Sequence, residues 1–154
     1  MVSILFVCLG NICRSPAAEG VLRHMAQKEG LELHIESCGL GDWHAGRLPD
    51  ERMREASKNR GIILSSRAQI FQIAFFDRFD FILVADNKIM KELYRFAETP
   101  ESKAKIHYIT RYSTGFRDQE IPDPYYEGEA GFEHVLDMIE DACAGLIEHL
   151  KSAK

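Results

Sequence analysis

Residues 2–16 read VSILFVCLGNICRSP, and this stretch decides the fold. Residues 2–7 form a short apolar run with β-branched side chains, which is typical of a buried strand. Gly10 and Asn11 favour a turn after that strand, and Pro16 suits the first turn of a helix. Apolar side chains at helical spacing then continue the helix. The stretch therefore predicts a strand, a tight loop and a helix in direct succession.

The rest of the chain repeats this order of strand and helix. Apolar runs predict three further strands, at residues 31–37, 79–85 and 106–109. Helical spacing of apolar residues predicts three further helices, at residues 49–60, 87–97 and 132–150. The alternation predicts an α/β fold of three layers, in which a parallel sheet lies between helices on both faces.

In such a sheet, ligands bind at the carboxyl ends of the strands. The loops that leave these ends cover residues 8–14, 38–48, 85–87 and 110–131. We therefore expect residues 8 and 123 to lie at the same edge of the sheet, despite their separation in sequence. Asp86 stands just before a helical pattern, and we expect it to cap that helix rather than to act in catalysis.

The composition is that of an ordinary globular domain. Hydrophobic residues make up 45% of the 154 and charged residues 28%, which excludes a disordered or low-complexity chain. The length suits one domain over residues 1–154, expected to be a monomer or to self-associate weakly. There is no signal-peptide pattern, and no apolar run reaches the roughly 18 residues of a membrane helix. We therefore expect a cytoplasmic protein without membrane contact, with its four cysteines as free thiols.

The charge is unevenly distributed along the chain. The net charge of −5 argues against a nucleic-acid partner. Residues 118–141 contain nine acidic residues and no lysine or arginine, so the remainder of the chain is mildly basic at +4. The six histidines show no metal-ligand spacing, and no complete nucleotide-binding glycine motif occurs, so neither a metal nor a cofactor is predicted.

Cys8 and Arg14 stand at the two ends of the first loop, in the spacing C-x5-R. Successive backbone N–H groups in a loop that enters a helix form a concave anion site, and the helix dipole adds positive charge. Gly10 permits close approach of a ligand, and the Arg14 guanidinium can bind two phosphate oxygens. The same field favours the Cys8 thiolate. The loop therefore predicts a phosphate site with a sulfur nucleophile, although a lone cysteine would more often simply be buried.

Asp123 is the candidate proton donor. Phosphoryl transfer to sulfur needs an acid for the leaving oxygen. Asp123 lies between Pro122 and Pro124, which restrict its backbone, in the long loop at the same edge of the sheet. Taken alone, this residue also fits an ordinary turn aspartate.

These two motifs resemble those of a known family. Residues 7–16, VCLGNICRSP, are similar to the signature loop of low-molecular-weight protein tyrosine phosphatases, and residues 123–126, DPYY, resemble that family's general-acid loop. Length and element order also match, so the resemblance covers nearly the whole chain. It implies a four-stranded parallel sheet and a metal-free, two-step hydrolysis of phosphotyrosine in proteins or peptides.

The resemblance also implies roles for individual residues. Cys8 would attack phosphorus to form a phosphocysteine, and Asp123 would protonate the tyrosine oxygen and then activate water. The phosphate would be held by the loop residues Leu9, Gly10, Asn11, Ile12, Cys13 and Arg14. Ser15 would hydrogen-bond the thiolate, and Asn11 and Ser37 would support the loop. The substrate cleft would be formed by Ile12, Trp43, Tyr125 and Tyr126.

Three details of the sequence refine the resemblance. Ile12 resembles the phosphotyrosine-selective members, because related protein-arginine phosphatases carry a smaller threonine there. Cys13 resembles a second loop cysteine that can form a protective disulfide with Cys8. A histidine commonly found near residues 65–69 is missing from this chain.

Two other functions stay open on the sequence alone. Some arsenate reductases share this loop and fold, but they need further cysteines to relay a disulfide. Only Cys38 and Cys143 are left for that task, and Cys143 lies on the apolar stripe of the last helix, where we expect it to be core. Asp123 also has no obvious use in such a reductase. The second alternative is a non-catalytic phosphate-binding module, against which the presence of Cys8, Arg14 and Asp123 argues.

Overall fold

The structure contains one sheet of four parallel strands. In the computed structural model, which describes residues 1–124 and 128–152, these are β1 (Val2–Cys8), β2 (Leu33–Gly39), β3 (Phe81–Val84) and β4 (Ile106–Tyr108). Their order across the sheet is β2-β1-β3-β4, so the first strand is central. The pairing of β1 with β2 runs in register from Val2↔Leu33 to Cys8↔Gly39. The predicted parallel sheet is confirmed.

Helices connect the strands and follow the last one. Within the described ranges they are α1 (Arg14–Lys28), α2 (Glu51–Lys58), α3 (Phe75–Arg78), α4 (Asn87–Phe96), α5 (Pro100–Ala104) and α6 (Gly128–Ser152). A short 3₁₀ helix, Ile109–Tyr112, follows β4. Successive β1 residues such as Leu5 and Phe6 point to opposite faces of the sheet, and both are fully buried. Both faces of the sheet are therefore covered, as a parallel sheet requires.

The element boundaries differ from the sequence expectations by up to four residues, at strand ends as well as helix ends. The last helix begins at Gly128 rather than near residue 132, and the loop expected over residues 110–131 contains most of the 3₁₀ helix. The strand expected over 79–85 is shorter, because Phe79 is the C-cap of α3. Asp86 caps α4 as expected, since its Oδ1 accepts the Ile89 N–H at 3.0 Å.

The long helix α6 packs against α1 and the 3₁₀ helix. Its apolar stripe is buried, and Cys143 on that stripe lies with Sγ 3.8 Å from the Ala18 carbonyl oxygen. Gly145 lies where α6 contacts the 3₁₀ helix, and a Cβ there would lie 1.8 Å from the Tyr112 carbonyl oxygen. Glycine, unfavourable in a helix interior, is therefore required here for packing.

A membrane-spanning segment would need a long apolar helix. None of the helices within residues 1–124 and 128–152 combines the length and the apolar character required to cross a bilayer.

Candidate active site

Cysteine, arginine, histidine and aspartate side chains lie together at the carboxyl end of β1. A cleft of about 240 Å³ opens there, lined by Cys8, Leu9, Gly10, Ile12, Cys13, Arg14, Trp43, His44 and Asp123. Three of the four loops expected at this edge meet in the cleft. Residues 8 and 123 thus lie on one site, although the chain separates them widely.

The backbone of the first loop is turned so that its carbonyl groups point outward. Four of these carbonyls accept N–H hydrogen bonds from neighbouring segments: Cys8 from Leu40, Leu9 from Gly41, Ile12 from Asp50, and Cys13 from Ala17. The C=O and N–H of a trans peptide unit point in opposite directions. The N–H groups of the same peptide units are therefore directed away from those segments, which suits a cradle for an anion at the start of α1.

Two residues hold this loop in shape. Asn11 adopts a left-handed backbone conformation with φ 56°, and its side chain makes three hydrogen bonds that fix it there. Its Nδ2 donates to Ser15 Oγ (2.7 Å) and to Ser37 Oγ (3.0 Å), and its Oδ1 accepts the Gln69 N–H (2.9 Å). Gly39, at the end of β2, packs against the backbone of this loop. A Cβ at Gly39 would lie 2.8 Å from the Leu9 carbonyl oxygen and 2.9 Å from the Asn11 nitrogen.

Cys8 stands at the floor of the cleft with one hydrogen-bond partner close to its sulfur. The residue is only 3% exposed, and its Sγ lies 2.9 Å from Ser15 Oγ. Cys13, the second loop cysteine, is also buried as a free thiol. Burial, followed by the charge of Asp50, raises the pKa of Cys13, so this thiol stays protonated and is a poor nucleophile.

Arg14 is a buried cation, and one nitrogen of its guanidinium, Nη1, is held by two hydrogen bonds. Its Nη1 donates to Asp86 Oδ2 at 2.7 Å and to the Ile121 carbonyl oxygen at 2.9 Å. Burial alone would lower the pKa of Arg14, but the negative charges of Cys8, Asp86 and Asp123 outweigh it and raise the pKa. The guanidinium is therefore charged and held in one orientation beside the loop.

Asp86 is a helix cap, as expected, and it also binds a residue of the cleft. One carboxylate oxygen, Oδ1, caps α4, while the other, Oδ2, binds the Arg14 guanidinium. A carboxylate has lone pairs enough for both tasks. The sequence reveals the cap because it is local, whereas the ion pair joins residues 72 positions apart.

Asp123 lies at the mouth of the cleft. Its side chain is 46% exposed, and Oδ2 is 3.9 Å from Arg14 Nη2. The preceding Ile121 anchors this segment: its N–H donates to the Ala85 carbonyl oxygen at 2.8 Å, and its own carbonyl binds Arg14. The carboxyl group is thus held beside Arg14 and is also open to solvent.

Two of the residues expected in the walls of the cleft, Ile12 and Trp43, lie within the described residues. Trp43 lines it and is 65% exposed, and Gly41 makes room for its ring, since a Cβ there would lie 1.8 Å from Trp43 Cζ3. His44, which no sequence motif indicated, lines the cleft beside Gly10. Tyr125 and Tyr126, expected as the opposite wall, lie outside the described residues.

An anion cradle that presents a buried thiol at the end of the central parallel strand is the hallmark of cysteine-dependent phosphatases. Comparison with known proteins gives the family. The family model "low molecular weight phosphotyrosine protein phosphatase" matches residues 3–154, and the chain belongs to this family.

Individual relatives extend over the whole chain. A Synechocystis sp. protein named as a low molecular weight protein-tyrosine-phosphatase is 43% identical over 149 residues, which are 96% of this chain and 95% of that protein. The crystal structure of a protein tyrosine phosphatase from Entamoeba histolytica, with Hepes in its active site, has a TM-score of 0.94 at 39% identity and covers 99% of both chains. A Drosophila arginine phosphatase has a TM-score of 0.90 at 33% identity, covering 98% of this chain and 99% of that one.

The described residues contain no group of three or more histidine, cysteine, aspartate or glutamate side chains that could hold a metal ion.

Proposed function

We propose that the protein hydrolyses phosphotyrosine in protein substrates through a covalent phosphocysteine at Cys8. The observation that carries this proposal is the meeting of Cys8, Arg14 and Asp123 in one cleft. A thiol at the floor, a fixed guanidinium and a solvent-open carboxyl group are the three parts that two-step phosphoryl transfer needs.

The proposed reaction has two balanced steps. In the first, the Cys8 thiolate attacks phosphorus, an S–P bond forms and the bond to the tyrosine oxygen breaks, while Asp123 gives its proton to that oxygen. In the second, Asp123 takes a proton from water, the resulting hydroxide attacks phosphorus and the S–P bond breaks. Phosphate leaves, and the thiolate and the protonated Asp123 are restored.

Arg14 is proposed to bind the non-transferring phosphate oxygens throughout. Its clamp on Asp86 and Ile121 uses Nη1, which leaves the other edge of the guanidinium to face the cleft that it lines. Because the group is already oriented before substrate arrives, no reorganisation is needed as charge develops on the phosphoryl group.

The site favours phosphatase chemistry over a disulfide relay to arsenate. Cys38 is 0% exposed and Cys143 is 1% exposed. Burial raises the pKa of both thiols, so neither is a ready thiolate. We further propose that the enzyme acts in the cytoplasm, as one domain over residues 1–154 that is monomeric or weakly self-associating, without nucleic acid or membrane partners.

Selectivity is best tested with three peptides that differ only in carrying phosphotyrosine, phosphoserine or phosphoarginine. We propose that Ile12, which lines the cleft, favours the flat aromatic ring and disfavours the guanidine. Phosphotyrosine should give the highest kcat/KM, by roughly 10–200-fold, the range of a single pocket contact. Ile12→Thr should reduce the ratio of kcat/KM for the phosphotyrosine peptide to kcat/KM for the phosphoarginine peptide. Faster hydrolysis of phosphoarginine by the unchanged enzyme would refute this assignment.

Gly39→Ala tests the cradle geometry without touching a reacting group. The added Cβ would press on the backbone of Leu9 and Asn11, which cannot move aside as a side chain can. A shift of about 1 Å in a positioning element costs about 10²-fold in rate, so we expect that loss in kcat/KM for para-nitrophenyl phosphate. Gly115→Ala, in a loop with ample room, is the matched control. Full activity of a folded Gly39→Ala variant would show that the cradle tolerates displacement.

A further inference from the structure

A chain of hydrogen bonds runs from Cys8 to the surface of α1. Beyond the Cys8–Ser15 and Asn11 contacts already described, Ser37 Oγ donates to Glu19 Oε1 at 2.6 Å. Arg23 Nη2 then donates to Glu19 Oε2 at 2.8 Å and to the Ile35 carbonyl oxygen at 3.0 Å. The sequence motifs indicated neither Glu19 nor Arg23.

The protons in this chain can point in only one direction. An ionised Glu19 only accepts, so Ser37 must donate to it, and the Ser37 oxygen then accepts from Asn11 Nδ2. The Gln69 N–H fixes the amide of Asn11, because only Oδ1 can accept that hydrogen. Both Nδ2 hydrogens of Asn11 are thereby committed, one to Ser37 and one to Ser15.

These hydrogen bonds determine where the Ser15 hydroxyl proton points. Its oxygen accepts from Asn11, so its own proton is available to donate. The candidate acceptors are Cys8 Sγ at 2.9 Å and the Cys38 carbonyl oxygen at 3.3 Å. The shorter contact presents the hydroxyl proton to the sulfur, where it stabilises a thiolate more than a thiol.

Because the network is buried, a missing hydrogen bond in it costs free energy. Ser15 is 0% exposed, and Glu19 is 6% exposed although it is an acid. Within the described residues, Arg23 is the one cation in ion-pair contact with Glu19. Ser15, Glu19 and Arg23 are spaced four residues apart on one face of α1. The helix therefore aligns these members of the hydrogen-bond chain with Cys8. The side chain of Gln69, in the segment where the family commonly has a histidine, binds Glu36 and the Ser37 carbonyl instead.

We propose that Glu19, held by Arg23, is a positioning residue that sets the direction of the hydrogen-bond chain and so keeps the Ser15 hydroxyl donating to the Cys8 thiolate. Glu19 touches no substrate and acts only through Ser37, Asn11 and Ser15. The inference rests on the proposed role of Cys8 as nucleophile.

The test is Glu19→Gln, read out as the pH dependence of Cys8 alkylation by iodoacetate. A carboxamide of the same shape cannot accept from both Ser37 and Arg23, so one bond of the chain is lost. Loss of one charge-assisted hydrogen bond should move the alkylation midpoint up by about one pH unit. At pH values below the midpoint, kcat/KM for para-nitrophenyl phosphate should fall about tenfold. The other groups near Cys8, namely Arg14, Cys13, Cys38, His44 and Asp123, are unchanged.

A second variant shows whether the effect passes through Ser37. In a Ser37→Ala background, Glu19→Gln should cause no additional shift, because the link is already cut. Arg23→Met should give a smaller shift in the same direction. Arg95→Met, which breaks an exposed ion pair with Glu92 on α4, should give none. Circular dichroism checks folding, and Arg23→Met carries the test if Glu19→Gln does not fold.

Two outcomes overturn the proposal: an unshifted midpoint in a folded Glu19→Gln or Arg23→Met variant, or a full Glu19→Gln shift in the Ser37→Ala background. Failure of the underlying function looks different. In that case, alkylation of Cys8 in the unchanged protein would leave phosphatase activity intact.

Discussion

Replacing Cys8 with serine is expected to abolish turnover of para-nitrophenyl phosphate while inorganic phosphate still binds. A serine hydroxyl is a far weaker nucleophile than a thiolate, and loss of a nucleophile costs roughly 10⁴–10⁶-fold in rate. The loop N–H groups and Arg14, which hold the anion, are untouched by the change. Steady-state assays and calorimetric titration with phosphate measure the two expectations separately.

Cys143→Ala is the matched control for this experiment. Cys143 is also buried, but it packs between α6 and α1, away from the cleft. Its loss should lower stability with little effect on kcat/KM. Substantial turnover by Cys8→Ser would contradict the assignment of Cys8, whereas loss of phosphate binding alone would show that the serine distorts the loop.

Replacing Asp123 with asparagine should slow aryl phosphate hydrolysis by about 10²–10⁴-fold, the usual contribution of general acid–base catalysis. Asparagine keeps the shape of the side chain but cannot give a proton to the leaving oxygen. The loss should be larger for phosphotyrosine or phenyl phosphate than for para-nitrophenyl phosphate, whose leaving group needs less protonation. Rates for the series of leaving groups measure this directly.

Asp118→Asn provides the control in the same acidic segment. Asp118 is exposed and pairs with Arg111 at 3.1 Å rather than with the cleft. Its replacement should leave the rates nearly unchanged. An equal loss for good and poor leaving groups in Asp123→Asn would mean that Asp123 is not the proton donor.

The parts of the fold that could be predicted from sequence are those with local causes. The β1–loop–α1 unit is visible because its apolar run, turn residues and helical spacing are contiguous. The cap by Asp86 is visible for the same reason. The placement of residues 8 and 123 at one edge followed from topology, since all strands of a parallel sheet end at the same side.

The parts that escaped prediction depend on contacts between distant residues. The second bond of Asp86, to Arg14, has no local sequence signal. Glu19 lies in a helical pattern where an acid usually faces solvent, but it is buried and accepts a hydrogen bond from Ser37 of β2. Gly39 reads as an ordinary loop glycine, and its need to be glycine comes from the backbone of the first loop.

The most direct test of the central claim is acid quench of the Asp123→Asn enzyme during turnover of para-nitrophenyl phosphate, followed by peptide mass spectrometry. With water activation impaired, the covalent intermediate should accumulate, because the good leaving group still departs. The account predicts one phosphoryl group on the peptide containing Cys8. A phosphoryl group on another residue, or none at any time during turnover, would contradict it.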